Sequence, residues 1–132
     1  MSEENVEIAR DALDAVRRGD SEAAARVFDA DVTWHNTTEF PGQRICVGPQ
    51  AIIDFWKTLL DSFADGGMKI ERVVEGEDSV VLDVRSAAQG RASGIPVEVC
   101  WSVALRMRGG TIKRVDVHGD RTRALEAVGL AE

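Results

Sequence analysis

Val97-Glu98-Val99-Cys100-Trp101-Ser102-Val103-Ala104-Leu105-Arg106-Met107-Arg108 alternates without a break. Successive strand side chains point to opposite sides, so Val97, Val99, Trp101, Val103, Leu105 and Met107 share one face. Glu98, Cys100, Ser102, Ala104, Arg106 and Arg108 share the other. A helix would scatter this pattern around its axis, so the run is a long strand with one buried side. Gly109-Gly110 is a hairpin signal, and the chain returns over 111–118 with Val115 and Val117 on one face and Arg114, Asp116 and His118 on the other. Upstream, 68–75 and 80–86 read as two further strands around the turn Gly76-Glu77-Asp78. Residues 89–94, glycine-rich and polar, read as a turn or a strongly twisted stretch.

The N-terminal half has a different period. Val6, Ala9, Ala12, Leu13 and Val16 recur at three- and four-residue steps, which makes an amphipathic helix stopped by Gly19. Asp20 can cap a second, short helix to about residue 28. A brief β-favouring run, Val32-Thr33-Trp34-His35-Asn36, leads into a polar loop with a turn at Pro41-Gly42. Gly48-Pro49 opens the clearest helix, with Ile52, Phe55, Trp56, Leu59, Leu60 and Phe63 on one face, and Gly66-Gly67 ends it. A last helix runs over 121–128 behind Asp120. The expected fold is therefore α+β: three main helices over a long antiparallel sheet, curved at its glycines enough to enclose a pocket.

At 132 residues the chain reads as one domain, 1–132, large enough to bury a real core. The formal charge of −7, with Lys and Arg scattered among carboxylates, argues against nucleic acid and against an anionic membrane as partners. Arg106, Arg108, Lys113 and Arg114 flank one turn and read as a solvated hairpin tip. No apolar run reaches the ~18 residues of a membrane span, and Met1-Ser2-Glu3-Glu4-Asn5 lacks a signal peptide's basic start, so the expected location is cytoplasmic. Cys46 and Cys100, too few for a zinc module, are expected to be buried thiols.

Several segments together resemble the SnoaL-like branch of the nuclear transport factor 2-like superfamily. They are Ala15-Val16-Arg17-Arg18-Gly19-Asp20, Asp31-Val32-Thr33-Trp34-His35-Asn36, Val47-Gly48-Pro49-Gln50-Ala51-Ile52-Ile53-Asp54-Phe55-Trp56, Gly109-Gly110-Thr111-Ile112, and residues 120–130. These are caps, turns and packing positions, not catalytic motifs. The resemblance implies a cone with a pocket between the sheet and the helices, and a homodimer through the opposite sheet face. The small residues Cys100, Ser102 and Ala104 on that face suit a close contact.

The superfamily's chemistries can be tried on this chain residue by residue. The ketosteroid isomerase tyrosine falls on Ala12, its base on Asn36 and its second aspartate on Val103; none of these can do that work. The epoxide hydrolase pattern finds Trp34-His35-Asn36 in place of Tyr-x-Asn, and Asp83-Val84-Arg85 in reversed order for Arg-x-Asp. Its last-strand aspartate falls on Val117, and Asp116 beside it is on the other parity. Asp116 is also the nearest match to the polyketide cyclase acid/base.

The candidate catalytic residues are Asp83, Arg85 and Asn36. Asp83 and Arg85 oppose the apolar set Val80, Leu82 and Val84. They are either an outward pair on the convex face or an inward, desolvated pair, with Arg85 on an anion or carbonyl and Asp83 as base. Trp34, Val99, Trp101, Val103 and Val117 are the expected pocket walls, with tryptophans able to stack on a flat ring. His35 and His118 lie opposite their strands' inward residues, so no metal site is expected, and no cofactor motif is present. Two functions follow: cofactor-free isomerisation, cyclisation or hydrolysis of a ring-containing metabolite, or ligand binding or partner dimerisation without turnover.

Overall fold

The computed structural model describes residues 2–36, 45–61, 63–90 and 96–130, with side chains for 4–36, 45–58, 69–85 and 100–130. Four helices, α1 (Ser2–Arg18), α2 (Ser21–Val27), α3 (Pro49–Asp61) and α4 (Arg121–Ala127), accompany six strands. The strands are β1 (Phe28–His35), β2 (Ile45–Val47), β3 (Phe63–Glu75), β4 (Ser79–Gly90), β5 (Pro96–Arg108) and β6 (Thr111–His118). They form one curved, unclosed sheet in the order β2-β1-β6-β5-β4-β3. Among the described residues no helix is long and apolar enough to cross a membrane.

The α1–α2 corner follows from Gly19 at φ 66°, a conformation that costs glycine little, and from Asp20, whose carboxylate accepts from the Ala23 N–H at 3.0 Å. The predicted apolar stripe of α1 is buried at Ala9, Ala12, Leu13 and Val16, and that of α3 at Ile52, Phe55 and Trp56. Both stripes join the cluster formed by Val80, Leu82, Val84, Trp101, Val103, Leu105, Val115 and Val117 on the sheet. We call this side of the sheet the inner face. At about 1.5–3 kcal/mol per buried aliphatic or aromatic side chain, this layer dominates the favourable side of folding. On the outer face, Val81 and Ala104 pack against Ala124 and Leu125 of α4.

The structure departs from the sequence reading in several elements. The sheet is mixed: β1 runs parallel to β6, with Trp34 opposite Val115 and His35 opposite Asp116, and the other pairings are antiparallel. A strand stands within what reads as loop, because Ile45, Cys46 and Val47 pair with His35, Trp34 and Thr33. Three residues are too few to carry a period. The third helix stops at Asp61, and Phe63 already faces Gly90 across β3 and β4. The hydrogen-bonded ladder, not the i+11 phase of Phe63, decides that segment, and it also draws Gln89 and Gly90 into β4. The turns expected at Pro41-Gly42 and at 91–94 lie outside the described residues.

Candidate functional site

Three tryptophans meet on the inner face. Trp34 stands edge-on to Trp56, with ring centroids 5.8 Å apart at 80°, and Trp56 stacks on Trp101 at 5.3 Å and 26°. Phe28 and Phe55 extend the group, edge-on to Trp34 and Trp56 at 6.4 and 5.9 Å. Strand alternation delivers Trp34 and Trp101, and the i, i+1 pair Phe55-Trp56 of α3 covers them from above. Such aromatic contacts add about 0.5–1.5 kcal/mol each beyond area burial.

Asn36 follows Trp34 by two residues and shares its parity. Its Oδ1 accepts a 2.9 Å hydrogen bond from the Trp34 indole N–H. Of the three buried polar residues among those described, Asn36, Ser79 and Ser102, only Asn36 is on the inner face; Ser79 and Ser102 share parity with Val81 and Ala104. The register sets His35 beside Asp116 and Val103 beside Val117, which brings Asn36 to the level of Val117 and Val103. Trp101 stands one step further toward the same end. The inner face is sealed at Val32, Val103 and Leu105, all 0% exposed, while Asn36 and Phe55 keep 8% and Trp101 4%. Met107, at the other end of β5, keeps 6%, so the residual exposure of this face is small at both ends. Trp34, Trp101, Val103 and Val117 are all buried inward, as the alternation implies; the backbone of Val99 faces Ser86, and its side chain is outside the described set.

Asp83 and Arg85 do not join this group. Leu82 and Val84 hold the inner parity, which turns Asp83 and Arg85 to the outer face. Of the two alternatives open in the sequence, the outward one holds, but the residues do not pair with each other. Asp83 accepts from the Ser102 hydroxyl at 2.7 Å and meets Arg121 of α4 at 2.7 Å. Arg85 is exposed and bonds Glu71 at 3.2 Å. Asp116 also faces outward, held by Arg114 through bonds of 3.0 and 3.1 Å.

His35, on that same outer face, has a buried Nε2 without a hydrogen-bond partner, and so does His118. Burial lowers the pKa of His35, Arg114 lowers it further, and Asp116 partly opposes them. Among the described residues no group of three His, Cys, Asp or Glu could hold a metal. Both cysteines are free: Cys46 is buried, with its thiol pKa raised by desolvation, but Cys100 is exposed. The expectation of two buried thiols fails at Cys100 because it lies on the outer face, level with Arg85 and beyond the cluster covered by α4.

The SnoaL-like domain family matches residues 9–115, most of the sequence. The chain belongs to the SnoaL-like domain family. Solved structures agree on the fold, which is nuclear transport factor 2-like. A Jannaschia sp. CCS1 protein assigned to the SnoaL-like polyketide cyclases is 16% identical, with a TM-score of 0.78 over 99% of this chain and 95% of its own. A nuclear transport factor 2-like protein from Burkholderia xenovorans LB400 is 20% identical, with a TM-score of 0.75 over 96% of each chain. A protein of ketosteroid isomerase-like fold from Catenulispora acidiphila, solved in complex with trimethylamine, is 18% identical, with a TM-score of 0.73 over 95% of this chain and 94% of its own. At such identities the likeness concerns fold alone. No curated protein matches the sequence.

This SnoaL-like chain holds two arrangements that sequence reasoning did not find. The Asp83, Ser102 and Arg121 network depends on a cross-strand register, Asp83 opposite Ser102, that no local pattern encodes. The Trp34–Asn36 bond was closer to view, since an i, i+2 pair on a strand shares a face.

Proposed function

We propose that this SnoaL-like chain binds a small, largely apolar, ring-bearing molecule at the Asn36 end of its inner face. Trp34, Trp101, Val103 and Val117 form the walls, and Asn36 is the polar contact. The carrying observation is the coincidence, on one face, of an aromatic cluster and the one buried polar residue of that face among those described. Binding without turnover is the better-supported form of this reading, because Asp83, Arg85 and Asp116 are committed to partners on the other side of the sheet. A cofactor-free isomerase, cyclase or hydrolase would need a proton-transfer group within reach of the ligand.

The test is native mass spectrometry of the purified protein, followed by tryptophan-fluorescence titration with bicyclic hydrocarbons and ketones. A co-purified small molecule, or saturable quenching lost in Trp101→Ala, supports the reading. Absence of both across the panel overturns it. Turnover of a bound ketone that survives Asp83→Asn but not Asn36→Ala would replace binding by catalysis at the same site.

We also propose that the chain pairs with a second copy through its outer face. Ile45 and Val47 of β2 stand 50% and 64% exposed there, beside Thr33 and His35 of β1. The small residues first invoked for this contact serve it less well. Ala104 is covered by α4 and Ser102 is engaged with Asp83, so the open part of the face lies nearer β1 and β2.

A further inference from the structure

His35 alternates with the inward Trp34, so its ring lies on the outer face, with Ile45 of β2 on one side and Asp116 of β6 on the other. The side chain is partly buried, and its Nε2 is shut off from water with no hydrogen-bond partner among the described residues. A neutral imidazole tolerates this, because only one of its nitrogens carries a proton. An imidazolium carries an N–H on both, and the one at Nε2 would have no acceptor. In a single chain the cation is therefore sustained by the part of the ring that water still reaches.

The charged groups beside His35 among the described residues are both on β6. Asp116 favours the cation but is already held by Arg114 at 3.0 and 3.1 Å, and Arg114 opposes it. β2 brings the apolar Ile45 and Val47, with the Cys46 thiol on the inner side. The helices α2 and α3 meet the inner cluster, and α4, on the outer face, turns Arg121 to Asp83. His118, two residues beyond Asp116, is the other histidine of this face, and its Nε2 is likewise buried without a partner.

We propose that the pairing of two copies is proton-sensitive: protonation of His35 drives the outer-face dimer apart. This rests on the second-copy reading above and adds its regulation. A partner laid over Ile45, Val47, Thr33 and His35 removes the water that sustains the imidazolium, and a two-fold axis sets that cation toward its own copy. The His35 pKa is thus lower in the dimer than in the single chain, where it already lies below 6.5 through burial, then Arg114, with Asp116 opposing. Above 6.5 the ring is neutral in both states and pairing does not depend on it. As pH falls through the single-chain pKa, each separated chain takes up a proton that the dimer resists, so dissociation is favoured.

Sedimentation velocity over a dilution series, at pH 7.5, 6.5 and 5.5 and fixed ionic strength, reads this directly. The dimer dissociation constant should rise about tenfold between pH 7.5 and 5.5, with most of the rise below 6.5. His35→Gln should make the constant independent of pH, whatever its value at 7.5. Arg114→Met removes an opposing cation and frees Asp116, so it should move the rise to higher pH. Should the variants fail to fold, the wild-type protein still decides the matter: the His35 ring protons, followed by NMR, should titrate at lower pH in concentrated, dimeric samples than in dilute ones. A flat or falling dissociation constant, the same rise in His35→Gln, or one His35 pKa at both concentrations overturns the proton coupling and leaves the pairing in place. A monomer at pH 7.5 overturns both.

Discussion

Asp83 looks catalytic in sequence, and in space its side chain is turned away from the inner-face aromatic cluster toward Ser102 and Arg121. Its two oxygens are occupied 2.7 Å from the Ser102 hydroxyl and 2.7 Å from the Arg121 guanidinium. Asp83→Asn keeps the shape but removes the charge, so it should lower unfolding free energy by about 1 kcal/mol, the part-exposed pair being partly screened. Ring-probe binding should not change. Urea unfolding and a fluorescence titration check the two halves, and lost binding with unchanged stability would return Asp83 to the site. His35 gives a pH prediction with a definite sign. Its folded-state pKa lies below the ordinary value of 6.5, chiefly through burial, then through Arg114. Above 6.5 the imidazole is neutral in both states and contributes nothing. As pH falls below 6.5 the unfolded chain takes up a proton that the folded chain resists, so stability drops until the folded pKa is passed. Wild type should therefore lose more stability than His35→Gln between pH 7.5 and 5.5 in paired urea titrations. Equal losses would mean that the buried nitrogen is readily solvated.

At the scale of elements, α4 is the piece whose attachment is most fully specified. Asp120 caps it by accepting from the Thr122 N–H at 2.8 Å, and Arg121 ties its start to Asp83. Arg106 donates to the Ala127 carbonyl at 2.6 Å, and beyond it Gly129, at φ 71°, lets the Leu130 N–H reach the Leu125 carbonyl at 2.8 Å. Leu125 and Ala124 supply the apolar contact with Val81 and Ala104. Leu125→Ala should cost about 2–3 kcal/mol, toward the low end for a buried leucine because a short helix can settle onto the gap. Thermal unfolding measures it, and a loss under 0.5 kcal/mol, small on the same scale, would mean that α4 is not part of the cooperative unit. The caps of α2 and α4 were legible beforehand because a cap is a local rule: Asp20 and Asp120 each sit one residue before their helix. The inner face of β5 was legible because twelve alternating residues leave one reading. The face of Asp83 was not, since Val80-Val81-Leu82 supplies an apolar residue for either parity and only the packing against α1 and α3 decides. The parallel β1–β6 pair and the short β2 depend on which distant strand each segment meets, and no local period carries that information.

The whole molecule carries a formal charge of −7, which sets a condition on any pairing of two copies. Two chains that met through acidic surfaces would repel, and the contact would weaken at low salt. The outer face avoids this. Arg85, Arg106 and Arg114 stand there against Asp83 and Asp116, and each is engaged locally: Arg85 with Glu71, Arg114 with Asp116, Asp83 with Ser102 and Arg121, and Arg106 with the Ala127 carbonyl. The exposed large hydrophobics among the described residues, Ile45 and Val47, stand on the short edge strand of this face, beside the partly buried Thr33 and His35. Two copies related by a two-fold axis would place these side chains against their equivalents and remove them from water without bringing like charges together. Sedimentation velocity at tens of micromolar should accordingly give a dimer whose population changes little between 50 and 500 mM salt, an insensitivity expected of apolar contact. Val47→Glu should convert it to monomer, since the new carboxylate meets its own copy across the axis, while leaving the inner-face binding of ring probes intact. A wild-type monomer under these conditions would show that the exposed edge has a different partner, and the apolar patch would then have to be explained by a heterologous contact.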